Sequence, residues 1–181
     1  MEEYIIAVDN SDKGLAPIEK MEAHYKGVLH RAFSILIFNS KDELLLQKRS
    51  TKKYHSAGLW TNSCCSHPGY GEELKDAVYR RIKEEMGFNC ELFEIFSFVY
   101  KAKLEQNIFE NEYDHVFIGI YHGEIFPNQE EVEDFKWASI DEIKVDIINN
   151  PELYTYWFKH LLDNDDTYNN IKQSLSEFKN K

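Results

Sequence analysis

The stretch EELKDAVYRRIKEEM, residues 72–86, specifies local structure more strongly than any other segment of this chain. Leu74, Val78 and Ile82 recur at intervals of four, so at ~100° per residue they form one apolar stripe along a helix. Gly87 follows directly, and glycine commonly ends a helix in a left-handed conformation. The stretch therefore predicts an amphipathic helix over residues 72–86 that packs on a hydrophobic core.

Two charged side chains interrupt the apolar side of this helix. Arg81 and Glu85 fall within the stripe, where charges are costly unless they are paired or bind an ion. One interpretation is an i,i+4 ion pair at the edge of the stripe, which is a common arrangement. The other is that Glu85 holds a divalent cation and Arg81 reaches a phosphate group.

Strands and helices are interleaved along the rest of the sequence. The predicted strands are 4–8, 31–38, 43–49 (returning from the second as a hairpin), 59–63, 88–101 with a break near residue 94, 110–125 and 135–138. Three other helices are predicted: residues 18–24, which Pro17 opens, a helix that Ser139 and Glu142 cap, and residues 151–162. From Asp163 we expect a polar, weakly helical tail on the surface. Because the order has no strict βαβ rhythm, we expect an α/β fold with a mixed sheet between helices.

Composition limits the class of protein. Of the 181 residues 43% are hydrophobic, which suits one domain over residues 1–181 with a substantial core. The net charge of −11 opposes binding to nucleic acid, and no apolar run approaches the ~18 residues of a membrane span. The N-terminal residues lack the basic segment of a signal peptide, and three unpatterned cysteines indicate free thiols. We therefore expect a cytoplasmic protein that binds neither nucleic acid nor membrane.

The stretch WTNSCCSHPG, residues 60–69, concentrates groups that can carry chemistry in a loop. Its thiols, imidazole and hydroxyls lie close together, and a proline and a glycine turn the chain. One interpretation is that Cys65 takes part in chemistry and His67 holds a metal. The alternative is a buried structural cysteine beside a surface histidine.

Two carboxylates mark the strand at 110–125. Glu110 and Glu112 are two residues apart, so they share one face with Asp114 and Val116 at a spacing of roughly 7 Å or less. Like charges placed there raise one pKa or recruit a cation. The alternative is a solvated end of the strand.

The histidines offer nitrogen ligands to such a cation. His24, His30 and His67 together with carboxylates suit Zn²⁺ or Mn²⁺, although their separations match no short metal motif. Each alone is equally a surface or core histidine. Four further histidines receive no functional role from the sequence: His55, His115, His122 and His160.

Basic and aromatic residues complete the set of candidates. In an acidic protein a few converging bases make a local anion site, whereas solvated surface is the default position of each. The candidates are Lys20, Arg49, Lys53, Arg80 and Arg81. Tyr100 and Trp157 are by default core or half-buried aromatics.

Residues 66–88 resemble a degenerate Nudix box, whose pattern is G-x5-E-x7-R-E-U-x-E-E-x-G-U. The matching residues are Glu72, Arg80, Ile82, Glu84, Glu85, Gly87 and Phe88. Ser66 replaces the first glycine of the pattern, and Arg81 replaces the glutamate after the arginine. That glutamate belongs to the metal cluster with which the family usually hydrolyses diphosphates, so its loss argues against ordinary Nudix hydrolysis.

A closer resemblance, over nearly the full length, is to the type I isopentenyl-diphosphate isomerases, which are Nudix-fold enzymes. The matching motifs are Glu19-Lys20 with His24, LHRAFS at 29–34, LWTNSCCSHP at 59–68, AVYRR at 77–81, Glu110-Asn111-Glu112 and Trp157. The resemblance implies a Nudix-like α/β/α sandwich with a mixed β-sheet and flanking helices. It also implies a small-molecule diphosphate substrate and a monomer or weak homodimer.

The same resemblance implies roles for individual residues. One tightly bound divalent metal (Zn²⁺, Mn²⁺ or Mg²⁺) would be held by His24, His30, His67, Glu110 and Glu112. Glu85 would help to hold a Mg²⁺ that also binds the substrate diphosphate, whose oxygens would meet Lys20, Arg49, Lys53 and Arg81. Cys65 and Glu112 would form the proton-transfer pair, Tyr100 would assist, and Trp157 would line the substrate pocket.

The implied reaction moves a double bond from isopentenyl to dimethylallyl diphosphate through a carbocation-like intermediate. It needs a proton donor and a proton acceptor on either side of a flat carbon skeleton. It also needs negative charge or π-electron density near the cation, and water must be excluded. We expect Glu112, through Tyr100, to donate and Cys65 to accept. Two other readings stay open: a Nudix hydrolase of a nucleoside diphosphate derivative, and a non-catalytic metal- or ligand-binding Nudix domain.

Overall fold

The computed structural model of the protein describes residues 3–179, so the first two and last two residues of the predicted domain lie outside it. Its strands are β1 Tyr4–Val8, β2 Gly14–Glu19, β3 His30–Phe38, β4 Glu43–Arg49, β5 Trp60–Thr61, β6 Cys64–Ser66, β7 Leu92–Lys103, β8 Phe109–Ile120 and β9 Val132–Ser139. Its helices are α1 Lys20–Lys26, α2 Leu74–Met86, α3 Ile140–Asn149, α4 Tyr156–Asp163 and α5 Asp165–Lys179. Short 3₁₀ turns lie at Glu105–Asn107 and Pro151–Leu153. Across this described range no helix has the length and apolarity needed to cross a membrane.

Strand β3 is the centre of a mixed sheet. It pairs in parallel with β8 along its whole length, from His30 opposite Glu112 to Phe38 opposite Ile120. It pairs antiparallel with β1, β4 and β6, while β4 also carries β5 and β9, and β8 also carries β7. The predicted mixed sheet is therefore confirmed. The predicted hairpin of β3 and β4 is joined in the sheet at only one pair, Phe38 and Leu44.

Alternate side chains of β3 enter two separate cores. Ile35 and Ile37 pack on one face with the buried side of α2, which includes Val78 and Ile82. Leu36 belongs to the second core, on the opposite face, where residues of α3, α4 and α5 pack. The period of two along a strand thus buries both faces of the sheet. This arrangement confirms the predicted α/β/α sandwich.

The sequence predicted that Pro17 opens the first helix, and this predicted start is wrong. Pro17 lies in β2, where it pairs with Ile6, and α1 begins three residues later after the cap Glu19. Glu19 accepts a hydrogen bond of 2.8 Å from the backbone N–H of Glu22. Proline lacks a backbone N–H, and β2 is an edge strand, so this position loses no ladder bond.

The predicted strand 59–63 is instead two short strands joined by Asn62 and Ser63. The Asn62 amide donates to the carbonyls of Ile35 and Cys64, at 3.2 and 2.7 Å. The Ser63 hydroxyl donates to the Leu45 carbonyl at 2.7 Å and accepts from the backbone N–H of Ile37. These side chains supply bonds that a regular ladder would supply. They carry the chain from β4 across to β3.

Other predicted boundaries shift by a few residues. The strand predicted from residue 88 begins at Leu92, and its predicted break appears as an irregular register between Glu94 and Phe96. The strand predicted to residue 125 ends at Ile120, and the helix predicted over 151–162 is divided into a 3₁₀ turn and α4. The capping box of Ser139 and Glu142 is confirmed.

The tail predicted to be weakly helical is the 15-residue helix α5. Ile171 and Leu175 are buried in the core with α4, so the tail contributes to the fold and does not only cover the surface. Its polar residues face outward, which is why the composition alone indicated a surface segment.

We therefore expect Ile171→Ala to lower the free energy of unfolding by about 2–5 kcal/mol, because it leaves a cavity in a closed core. Urea denaturation followed by circular dichroism measures this change. The exposed neighbour Asn170 provides the control, and Asn170→Ala should change stability by less than about 0.5 kcal/mol. Equal effects of the two substitutions would show that α5 does not belong to the core.

Candidate active site

Three imidazoles and two carboxylates converge where β3 and β8 begin. His30 opens β3 and lies opposite Glu112 of β8 in the parallel register. His24 comes from α1, Glu110 from β8, and His67 follows directly after β6. All five side chains are buried. The structure thus brings together every residue that the sequence offered for the tightly bound metal.

Glu112 is the centre of this cluster. Its Oε1 lies 2.8 Å from His67 Nε2 and 3.5 Å from His30 Nε2. Its Oε2 accepts a hydrogen bond of 2.5 Å from the hydroxyl of Tyr100 on β7. One carboxylate therefore contacts both the imidazole group and the predicted assisting tyrosine.

Two of the histidines keep one nitrogen free. His24 Nδ1 lies 3.2 Å from the Phe109 carbonyl and His30 Nδ1 lies 2.8 Å from the Val28 carbonyl. With the proton on Nδ1, the lone pair of Nε2 points away, and neither Nε2 has a hydrogen-bond partner. A histidine held by a backbone carbonyl in this way is the usual geometry of a metal ligand.

The charges of the cluster also fit a divalent cation. Burial lowers the pKa of His24 to about 4 and that of His67 to about 3, so both imidazoles are neutral at pH 7. Burial and the charge of Glu112 raise the pKa of Glu110 well above its ordinary value. Burial alone would raise the pKa of Glu112 too, but the neighbouring imidazoles of His30 and His67 hold it well below that value. Ligand atoms of His24, His30 and His67, and separately of His30, Glu110 and Glu112, lie within 4.8 Å of one another. The donor set of neutral imidazoles and carboxylates fits Zn²⁺ or Mn²⁺.

Cys65 and Glu112 line the same pocket from opposite sides of β3. Cys65 pairs with Ser34 through β6, on one edge of β3, whereas Glu112 lies on β8 along the other edge. The pocket between them is a cavity of about 50 Å³ whose wall also includes Tyr100 and Trp157. Trp157 is held in place by its indole N–H, which donates to the Thr61 hydroxyl at 2.9 Å.

Burial raises the pKa of the Cys65 thiol to about 12, although the nearby Arg49 guanidinium opposes this effect. The thiol is therefore protonated at neutral pH. Cys64, its neighbour, points into the core with α2 and does not line the pocket among the described residues. The two adjacent cysteines thus face opposite sides of the sheet, as residues next to each other on a strand do.

Four basic residues line this pocket: Lys20, Arg49, Lys53 and Arg81. The Arg49 guanidinium lies 5.2 Å from the ring of Trp157. Arg80, the fifth basic residue considered from the sequence, is elsewhere and pairs with Glu72 at 2.7 and 2.8 Å. Lys20, Lys53 and Arg81 are each paired with a carboxylate in this structure, with Glu3, Glu131 and Glu85 respectively, so an anion site here stays a prediction.

Glu85 lies beside the pocket and is not part of its wall. Its Oε1 accepts a hydrogen bond of 2.5 Å from Arg81, and its Oε2 accepts one of 2.8 Å from the Gln47 amide. The i,i+4 ion pair considered from the sequence is therefore present. For Glu85 to hold Mg²⁺, Arg81 has to turn toward the phosphate, and this role stays a prediction.

The pocket wall contains residues to which sequence reasoning gave no role. Tyr54 and His55 lie in the polar loop after β4, and no spacing or hydrophobic pattern singled them out. Ser34 also lines the pocket, and its hydroxyl donates to the buried Asp114 at 2.8 Å. The sequence held one signal for the pair of Ser34 and Asp114. The alternation along the predicted strand placed Asp114 on the same face as Glu112.

Comparison with known proteins identifies the relatives of the chain. Residues 28–161 match the family model of the NUDIX domain. The chain is 50% identical over 163 residues to the isopentenyl-diphosphate Delta-isomerase 2 of Photorhabdus laumondii, covering 90% of this chain and 92% of the relative. It is 49% identical to isopentenyl-diphosphate Delta-isomerase 1 of Aromatoleum aromaticum, with the same coverage.

Solved structures agree on the fold. The DR0079 protein of Deinococcus radiodurans superimposes with a TM-score of 0.75 at 16% identity, covering 89% of this chain and 98% of that protein. A MutT protein of Methanosarcina mazei superimposes with a TM-score of 0.62 at 22% identity, covering 78% of this chain and 95% of that one. At such identities the likeness concerns the fold alone.

The free nitrogens and crowded carboxylates predict that a divalent cation stabilises the folded chain. Mn²⁺ at a hundred times its dissociation constant should raise the free energy of unfolding by about 2.7 kcal/mol over chelator-treated protein. Urea unfolding with EDTA or with Mn²⁺ measures the difference. His30→Leu should abolish this gain, whereas His122→Leu, at an exposed position after β8, should keep it. A gain that survives in His30→Leu would place the ion elsewhere.

Proposed function

The chain belongs to the isopentenyl-diphosphate Delta-isomerases of the Nudix superfamily, and from this membership we propose that it interconverts isopentenyl diphosphate and dimethylallyl diphosphate. One observation carries the proposal at the level of residues. Cys65 and Glu112 reach one pocket from opposite edges of β3, and four basic side chains line that pocket. The arrangement offers two proton-transfer groups to a carbon skeleton and an anchor to its diphosphate.

The first step adds a proton to the terminal alkene carbon, C4, and leaves positive charge at the tertiary carbon C3. In our proposal Glu112 supplies this proton, through or together with Tyr100, whose hydroxyl is 2.5 Å from its carboxylate. A short hydrogen bond between them lets either oxygen hold the proton. The group left behind is negative and lies close to the cation that forms.

The second step removes a proton from C2, and the electrons of that C–H bond form the new double bond. Cys65 accepts this proton in our proposal. At neutral pH the Cys65 thiol is protonated and Glu112 is ionised, so the proposed steps begin after the thiol proton has passed to the Glu112–Tyr100 pair. The resulting thiolate, whose pKa burial raises, is then a strong base. The reaction is reversible, so each group alternates between donor and acceptor over a forward and a reverse turnover.

Aromatic side chains stabilise the cation and exclude water from it. Trp157 lines the pocket and is buried, and an indole face is worth ~2 kcal/mol or more to a desolvated cation. Tyr54 and Tyr100 add two further aromatic rings to the wall. Water that reached the cation would trap it as an alcohol, so enclosure is part of the chemistry.

The diphosphate is an anchor and does not react. Lys20, Arg49, Lys53 and Arg81 would bind its oxygens and fix the carbon skeleton between the two proton-transfer groups. Glu85, once released by Arg81, would help to hold a Mg²⁺ shared with the diphosphate. His24, His30, His67, Glu110 and Glu112 would hold the tightly bound metal, which would supply positive charge that fixes and polarises Glu112.

Nudix hydrolysis is the second candidate, and the contacts of Arg81 weigh against it. Arg81 donates to Glu84 at 2.8 Å and to Glu85 at 2.5 Å, so a guanidinium neutralises two carboxylates of the Nudix box. A cation among these carboxylates competes with the metal ions that hydrolysis needs. A protein that binds without catalysis is the third candidate, and the enclosed pair of Cys65 and Glu112 favours an enzyme instead.

Three further properties belong to the same proposal. The three cysteines are free thiols, which suits the reducing cytoplasm. The partner is a small diphosphate, and neither nucleic acid nor membrane is expected for a chain of net charge −11. We expect the protein to act as a monomer or weak homodimer.

Cys65→Ala should lower the rate of isomerisation by about 10²–10⁴-fold, because it removes one proton-transfer group. Labelled isopentenyl diphosphate with full mass balance provides the assay. Cys90→Ala is the matched control, since Cys90 lies outside the pocket and should retain activity. Phosphate or nucleotide release that persists in Cys65→Ala would identify a hydrolase.

The assignment of donor and acceptor predicts where solvent deuterium enters in D₂O. In Cys65→Ser, exchange at C4 should persist through Glu112, because the cation can return by losing a proton from the same carbon. Exchange at C2 should stop, because the thiol that serves that carbon is gone. Mass spectrometry and NMR of the recovered diphosphates locate the label. If deuterium still entered at C2 but no longer at C4, Cys65 would be the proton donor and Glu112 the acceptor.

A further inference from the structure

His55 lies in the pocket wall beside the carboxylate of Glu110. Its Nε2 is 3.5 Å from Glu110 Oε1. Its ring centre is 5.9 Å from that of His24, and it meets the ring of Trp157 edge-on at 5.7 Å. It therefore contacts the predicted metal cluster on one side and the predicted substrate wall on the other.

Apart from a hydrogen bond with the neighbouring carboxylate of Glu112, Glu110 has few groups that can fix its orientation. Two imidazole nitrogens lie near its carboxylate, His24 Nδ1 at 3.6 Å and His55 Nε2 at 3.5 Å. His24 Nδ1 is directed to the Phe109 carbonyl at 3.2 Å, so its proton is already used. His55 is the imidazole that remains to donate to Glu110 within residues 3–179.

The other nitrogen of His55 indicates its tautomer. Nδ1 lies 3.3 Å from the Ser56 hydroxyl, which can donate to it and leave the proton on Nε2, facing Glu110. Ser56 has a positive φ of 48°, a conformation that non-glycine residues adopt only where surrounding contacts impose it. The loop is thus held in the form that directs His55 inward.

We infer that His55 is a positioning residue, whose Nε2–H donates to Glu110 and orients that carboxylate toward the tightly bound metal. Direct ligation is less consistent with the geometry, since His55 belongs to neither group of ligand atoms that lie within 4.8 Å of one another. Residues that orient metal ligands in this way commonly change metal affinity 10–100-fold when replaced. The inference rests on the metal site of the proposed function and adds to it a role for the loop after β4.

A pair of variants separates the hydrogen bond from the bulk of the ring. His55→Gln keeps a side-chain N–H at the position of Nε2, whereas His55→Leu fills similar space without a donor. We expect His55→Leu to weaken Mn²⁺ binding by about 10–100-fold and His55→Gln to restore affinity close to that of the wild type. The signal of free Mn²⁺ in electron paramagnetic resonance measures the dissociation constant. His122→Leu, at an exposed position, is the control for loss of a histidine.

Equal Mn²⁺ affinity in His55→Leu and the wild type would overturn the inference. If His55→Leu does not fold, as judged by circular dichroism, His55→Asn takes its place, because its shorter amide faces Ser56 and cannot reach Glu110. The inference then requires weaker binding in His55→Asn than in His55→Gln, and equal binding refutes it.

Isomerase assays on the same proteins separate this inference from the proposed function. A wild-type protein that isomerises, with unchanged Mn²⁺ affinity in His55→Leu, would refute the role of His55 alone. The opposite result is a wild-type protein that does not isomerise, while Mn²⁺ affinity is lower in His55→Leu than in His55→Gln. It would refute the proposed function and support the role of His55.

Discussion

The parallel register of β3 and β8 is the constraint on which the site depends. It sets His30 opposite Glu112, and a slip of one residue would turn Glu112 to the face of α2 and remove it from the histidines. The register is fixed well inside the core, where the Ser34 hydroxyl donates to the buried Asp114 at 2.8 Å. The same strand also receives β6, which brings Cys65 to its other edge. One central strand thus sets the separation of Cys65 and Glu112, the two proposed proton-transfer groups, so any change that loosens its pairing acts on both.

Arg81 explains how a Nudix helix can serve chemistry other than hydrolysis. Helix α2 keeps the apolar stripe of the Nudix box, with Val78 and Ile82 fully buried, so the fold needs no adjustment. The change lies at one position, where a guanidinium between Glu84 and Glu85 replaces a carboxylate. In the proposed function, this position would present positive charge to an intact diphosphate in place of a carboxylate that helps to bind metal ions. The reactive carbons then meet groups on β6 and β8, on the other face of the sheet.

The sequence predicted those parts that depend on local periodicity or on short motifs. The stripe of α2, the alternation of Glu110, Glu112 and Val116, and the cap at Ser139 are patterns within one element, and all three are present. The sheet order and the division of strand 59–63 depend on contacts between distant residues, such as Asn62 with Ile35. Tertiary pairing also decided that Pro17 lies in an edge strand. His55 escaped detection because its role comes from Glu110, 55 residues away in the chain, and no spacing expresses that contact.

The small volume of the pocket links binding of the diphosphate to protection of the cation. A cavity of about 50 Å³ holds only a few water molecules, so under the proposed function we expect wall residues to move when a five-carbon diphosphate binds. Lys53, Tyr54 and His55 form the partition between this pocket and an outer cavity of about 550 Å³. Lys53 is one of the cations expected to bind the diphosphate, and His55 contacts both Glu110 and Trp157. Under the proposed function, a movement of this loop toward the diphosphate would also complete the wall around the carbon skeleton. Charge recognition at one end of the substrate would then exclude water at the other, where the cation would form.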